Sequence, residues 1–157
     1  MSLERAHTEI GPEVLDRTWQ GLLKKAKHTK TGCILCHLKP HGKAKYIRVN
    51  VHDTAEERKT KGLPPGQAKV AVMLHHLAYY QRKKTNSTTW LGLKDDNDIS
   101  HLCFNTKCMN PDHLFEEDHL TSLSRIFCHY KQVKCGCTDV RCKHHLPPCL
   151  PMNLGNN

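Results

Sequence analysis

An α+β fold, small and cross-linked, is what the sequence predicts, and three observations predict it. Two stretches space their apolar residues helically: Leu15, Trp19, Leu22, Leu23 and Ala26 in one, Val70, Met73, Leu74, Leu77 and Tyr80 in the other. Between them KYIRVNVHD, residues 45–53, alternates strictly. The chain has 157 residues, 38% of them hydrophobic and 6% aromatic, with nine Cys. So lean a chain builds a modest core that needs staples.

The first helix falls within GPEVLDRTWQGLLKKAKHTKTG. Pro12 suits its first turn and Gly32 marks its far limit. Lys24, Lys25, Lys27 and Lys30 fall on its exposed side or just beyond it. In the alternating stretch Ile47, Val49 and Val51 point one way, and Tyr46, Arg48, Asn50 and His52 the other, as in a half-buried strand. TAEERKTKGLPPGQAK, charged and then rich in Gly and Pro, reads as a loop or insertion. VAVMLHHLAYYQRKK reads as the second amphipathic helix, NSTTWLGL as a short strand and KDDND as a turn. Metal-ligand residue types dominate from Ile99 onward, and LPPCLPMNLGNN, with little to bury, reads as an extended tail. The expected organisation is an N-terminal helical segment (1–31), a metal-bound domain (32–150) and a tail (151–157).

Disulfides and zinc compete for the cysteines. The N-terminus, MSLERAHTEIGPEVLDR, has no apolar core of a signal peptide, and no apolar stretch approaches a membrane span. The expected compartment is intracellular, the nucleus in a eukaryote, where thiols stay reduced and closely spaced Cys and His bind metal. The odd cysteine count also favours zinc with spare thiols. Formal charge is +9. Two zinc ions on seven thiolates would lower it to about +6, still basic. A basic intracellular protein suits an anionic polymer, most often nucleic acid.

SHLCFNTKCMNPDHL, residues 100–114, places Cys103, Cys108 and His113 as C-x4-C-x4-H, three ligands for a tetrahedral ion. GCILC offers Cys33 or Cys36 as the fourth, unless that pair forms a half site of its own. CHYKQVKCGCTDVRCKHH gives a second set, Cys128, Cys135, Cys137 and Cys142, with His144 and His145 as alternatives to Cys142. Both sets fill four positions with protein, as structural sites do. His101 is left over. A histidine held rigid beside a structural metal suits general-base work on a phosphodiester, against the blander role of hydrogen bonding to the metal's ligands.

ISHLCFNTKCMNPDHL resembles the S-H-L-C-x-N-x-x-C-x-N-P-x-H-L core of the His-Me finger (ββα-metal) endonucleases, and within them the Cys-His box homing endonucleases. The likeness runs on through SRIFC and the second cluster to PPCL. Upstream, GC at 32–33 with KYIRVNV resembles the family's first zinc cysteine and DNA-binding sheet, and HHLAY a helix motif. The resemblance implies a small zinc-stabilised domain with an antiparallel DNA-binding sheet and flanking helices. It implies His101 as general base and Arg125 near the phosphate. Cys33, Cys103, Cys108 and His113 would hold one structural zinc, Cys128, Cys135, Cys137 and Cys142 a second, and Cys36 would be spare. Where the family has an asparagine holding a single catalytic magnesium, this chain has Ser122, a poorer ligand. Asp118, expected in the same helix, is the candidate substitute. The implied partner is double-stranded DNA, met by Tyr46, Arg48, Asn50 and His52. Homing relatives dimerise through long C-terminal tails; the tail here is short, which leaves a homodimer open. The implied function is a metal-dependent DNA endonuclease. Its rivals are a zinc-built DNA-binding module that has lost cleavage, favoured by Ser122, and a protein-interaction domain, which would show no salt-dependent DNA binding.

Overall fold

The computed structural model describes residues 2–42, 45–62, 69–86, 96–130 and 145–150. The chain opens with two helices, α1 (Ser2–Glu9) and α2 (Pro12–Leu23). Pro12 starts α2, and Val14, Leu15, Trp19 and Leu22 form its buried face. A short antiparallel hairpin follows, β1 (Lys27–His28) with β2 (Ile34–Leu35). Next come β3 (Arg48–His52), α3 (Ala55–Thr60), β4 (Lys69–Met73) and α4 (Leu74–Asn86). The last described part is β5 (Asn97–His101), β6 (Leu114–Asp118) and α5 (His119–Tyr130). β3 pairs antiparallel with β4, Asn50 opposite Ala71, and β5 with β6, Ile99 opposite Glu116. This is the small α+β architecture the sequence predicts.

One apolar cluster joins the parts. Ala6, Leu15 and Trp19 from the first two helices and Ile10 from the turn between them meet Val49, Val51, Val70 and Val72 from the β3–β4 sheet. Leu74, Leu77 and Tyr80 of α4 close the same cluster, and Ile99, Met109 and Leu114 extend it toward the Cys/His loop. β3 shows the alternation expected of it, with Val49 and Val51 buried and Arg48, Asn50 and His52 exposed.

The second helix differs from its expected extent. Residues 69–73 are strand, and the helix begins at Leu74. Val70, Met73, Leu74 and Leu77 satisfy a helical period, yet Val70 and Val72 equally satisfy a strand's period of two. Pairing with β3 decides for the strand. The stretch read as a loop contains α3, announced by a capping box: Thr54 Oγ1 accepts from Glu57 N and Glu57 takes the Thr54 N–H. Asp118 is likewise not inside a helix. It ends β6 and caps α5, accepting from Thr121 N at 2.9 Å and from Thr121 Oγ1 at 2.6 Å. Residues 87–93 of the NSTTWLGL stretch and 151–157 of the tail lie outside the described residues; the start of the tail packs back, with Pro147 O accepting from Arg125 Nη1 and Leu150 N donating to Leu102 O.

Candidate functional site

The β1–β2 turn and the loop between β5 and β6 meet at a Cys/His cluster. Cys33 Sγ, Cys103 Sγ, Cys108 Sγ and a ring nitrogen of His113 all lie within 4.8 Å of one another. Local structure aims each of them. Cys33 N donates to Thr29 Oγ1 (3.0 Å) and Thr29 N to Cys33 O (2.9 Å), closing the turn in which Gly32 takes φ 77°. The positive φ calls for glycine, while a Cβ there would only meet the His113 ring in ordinary contact at 3.4 Å. The second loop docks on this hairpin through Cys36 N to Lys107 O (3.0 Å), Met109 N to Ile34 O (2.7 Å) and Asn110 Nδ2 to Gly32 O (2.7 Å).

His113 Nδ1 stands 3.5 Å from Cys33 Sγ and 3.6 Å from Cys108 Sγ. A tetrahedral zinc with Zn–S of about 2.3 Å and Zn–N of about 2.1 Å has an S···N edge of about 3.6 Å. These two S···N distances already match the edges of a zinc tetrahedron, and the other donor pairs lie within 4.8 Å. As bare thiols they would oppose one another's ionisation. Burial pushes Cys33 up, donation to Cys108 pushes Cys103 up, and Cys108, accepting that bond, is held down. A dication removes that opposition by neutralising the thiolates. Cys36 takes no part in the cluster: it is buried in the apolar core, where burial raises its thiol.

Beside the cluster lies a cleft lined by Lys45, Tyr46, Ser100, His101, Ser122 and Arg125, among others. His101 closes the β5–β6 ladder opposite Leu114. Its Nε2 stands 3.1 Å from the Cys108 carbonyl. A carbonyl only accepts, so Nε2 carries the proton. Burial pushes His101 down to about 4, against the opposing pull of that carbonyl. The ring is then neutral at pH 7, and Nδ1 bears the lone pair. Tyr46 stacks on this ring at 6.3 Å between centroids, and His75 tilts against it at 5.2 Å. His75 is itself buried and held well below the usual imidazole range, chiefly by burial.

Arg125 is 1% exposed. Its Nε donates to both Glu117 oxygens at 2.8 Å and its Nη1 to Pro147 O at 2.9 Å. Its Nη2 and the Ser100 hydroxyl are buried in the cleft wall without a partner among the described residues. Ser122 lines the cleft from α5. No carboxylate or side-chain amide lines the cleft among the described residues.

A family model for the zinc-binding loop region of homing endonucleases matches residues 30–156. The chain belongs to this family. No curated protein and no solved structure matches it significantly. The match takes in Cys33 and the whole Cys/His loop, and the Cys3His cluster of this homing-endonuclease-type domain is its zinc centre.

Around that centre, the structure distributes the other expected residues unevenly. Arg48, Asn50 and His52 share one exposed face of β3. Tyr46 leaves that face and turns, half-buried, toward His75 and His101. Cys128 lies half-buried on α5, while Cys135, Cys137 and Cys142 lie outside the described residues. His145 Nε2 meets Ser124 Oγ at 2.9 Å. Two residues at the cleft were not singled out from the sequence. Lys45 precedes β3 and carried no pattern, whereas His75 belongs to the HHLAY motif, whose first histidine was the available signal. No helix among the described residues is long and apolar enough to cross a membrane.

Proposed function

We propose that the chain is a DNA endonuclease in which His101 Nδ1 takes the proton from a water attacking a scissile phosphodiester. The tautomer carries this reading. The Cys108 carbonyl holds the proton on Nε2, which leaves Nδ1 as the base, and the zinc loop fixes that carbonyl in place. Arg125, with Nη2 unpaired in the cleft wall, supplies a donor for phosphate oxygens as charge builds on them. Glu117 and Pro147 hold it from the far side. DNA lies against the exposed face of β3, where Arg48 suits guanine and Asn50 adenine in the major groove.

The family resemblance implies one catalytic magnesium, and the cleft does not fit it well. Magnesium prefers one or two carboxylates plus substrate phosphates. The described lining offers hydroxyls from Ser100, Thr106 and Ser122, beside the cations Lys45 and Arg125. Asp118, the expected substitute, is exposed and engaged as the cap of α5. No step above is routed through the ion. This donor set also favours a second reading, a zinc-built DNA-binding domain with weak or lost cleavage. A plasmid-nicking assay with magnesium separates the two: slow cleavage that His101→Ala abolishes supports the nuclease, and DNA binding with no cleavage supports the module.

A second structural zinc is part of the proposal, on Cys128, Cys135, Cys137 and Cys142. Elemental analysis should find two zinc ions per chain, and a value of one would remove it.

A further inference from the structure

The positive charge of this protein is segregated. Of its 24 Lys and Arg, nine lie between Arg17 and His52, a stretch with no Asp or Glu. The other 15 are matched by all 15 acidic residues. The segregation also holds in space. Several cations outside the stretch are paired, Arg58 and Lys61 with Asp53, Lys83 with Glu116, Lys84 with Asp16 and Arg125 with Glu117, and Arg17, at the edge of the stretch, pairs with Glu57. Within it, Lys24, Lys25, Lys27, Lys30, Lys39 and Arg48 are exposed and make no ion pair with a described residue.

A surface lysine left without a counter-charge is ordinary, but an acid-free run carrying the whole net charge is not what solubility alone requires, since interspersed signs serve that end. The run follows the end of α2, the β1–β2 hairpin and β3. The hairpin is also fixed relative to the cleft, and Cys108 makes the link. Its thiol belongs to the zinc cluster, its backbone bridges to Leu35 of β2, and its carbonyl meets His101 Nε2.

We propose that the β1–β2 hairpin and the segment that follows it, with Lys27, Lys30 and Lys39, form a clamp for the phosphate backbone of duplex DNA, and that the zinc centre holds this clamp in register with His101. The proposal rests on the DNA reading above and adds a division of labour to it. The hairpin positions the duplex without reading sequence, and the β3 face reads it.

The test is equilibrium binding of a duplex oligonucleotide by the full zinc-loaded chain between 50 and 200 mM salt. The clamp variant is K27Q/K30Q/K39Q. The charge control is K59Q/K83Q/K84Q, which removes as many lysines from the balanced part of the chain. Each phosphate contact contributes about 0.9 to the log–log salt slope, so the clamp variant should lose about two to three units of slope and bind tenfold or more weaker on any duplex sequence. The control should keep the wild-type slope, and K27R/K30R/K39R should restore it. Zinc content and melting temperature confirm that each variant is folded. Equal losses in clamp and control variants would overturn the proposal, because net charge alone would then explain them. An unchanged slope in the clamp variant would overturn it as well. Wild type that binds duplex with no salt dependence would overturn the DNA reading beneath it, a failure visible before any variant is compared.

Discussion

The zinc cluster and the cleft share the β5–β6 loop yet differ in completeness. The cluster has its full complement: three thiols and an imidazole from two segments, all within 4.8 Å of one another. The cleft has a neutral base of defined tautomer and an unpaired guanidinium nitrogen, yet no described carboxylate or amide oxygen to hold a magnesium ion. Scaffold and chemistry therefore answer to different constraints. Losing one zinc ligand should unfold the loop that aims everything else, whereas exchanging Ser122 should spare the fold and alter only the chemistry of the cleft.

The largest effect should come from removing zinc. The apolar core is small and structural zinc carries about 10–16 kcal/mol of apparent binding energy, so chelation should abolish the cooperative melting transition. A chelated protein with an unchanged melting curve would mean that the cluster is not a folding element. In the cleft, Glu117→Ala strands the buried Arg125 charge and should cost about 3–5 kcal/mol in urea denaturation. Zinc content should hold, because the pair lies apart from the cluster; loss of zinc would show the two regions to be one unit. Smaller still is the contrast at the zinc knuckle. Cys33→Ser should lose one zinc and much of the fold. Cys36→Ser should keep both the metal and the structure, at about 1–3 kcal/mol for placing a hydroxyl in an apolar cluster. Greater damage from Cys36→Ser would assign the ligand to the wrong cysteine.

Much of this arrangement was legible in the sequence, and what was not has physical reasons. C-x4-C-x4-H requires a short loop wrapping one ion, and the structure has that loop. The alternation of 45–53 led directly to β3, since a half-buried strand has few other sequence signatures. β4 escaped because Val70 fits a helical period with Met73, Leu74 and Leu77 and a strand's period with Val72, and only the partner strand chooses between them. α3 was present as Thr54-x-x-Glu57 and was hidden by the Gly- and Pro-rich stretch after it. At the cleft, His101 stood out as the histidine left over beside the metal loop and Ser122 through the family resemblance, but nothing announced the Cys108 carbonyl that sets the tautomer. Backbone atoms carry no sequence signal. Nor did the sequence show that Asp118 would be consumed as a helix cap, since one carboxylate serves as cap or ligand according to where the helix begins.

The difference between the regions concentrates at Ser122, and a single-turnover cleavage measurement tests it most directly. Wild type, Ser122→Asn and His101→Ala are compared on one duplex substrate across a magnesium titration. With no carboxylate or amide oxygen among the described residues lining the cleft, wild type should cleave slowly. Ser122→Asn should raise the rate about tenfold, which is about 1.4 kcal/mol of barrier, and should lower the half-saturating magnesium concentration. His101→Ala should cost about 10²–10⁴-fold, the usual contribution of a positioned base. Fast wild-type cleavage that is indifferent to Ser122→Asn and survives His101→Ala would contradict the account, because neither the base nor the weakened metal site would then govern the reaction.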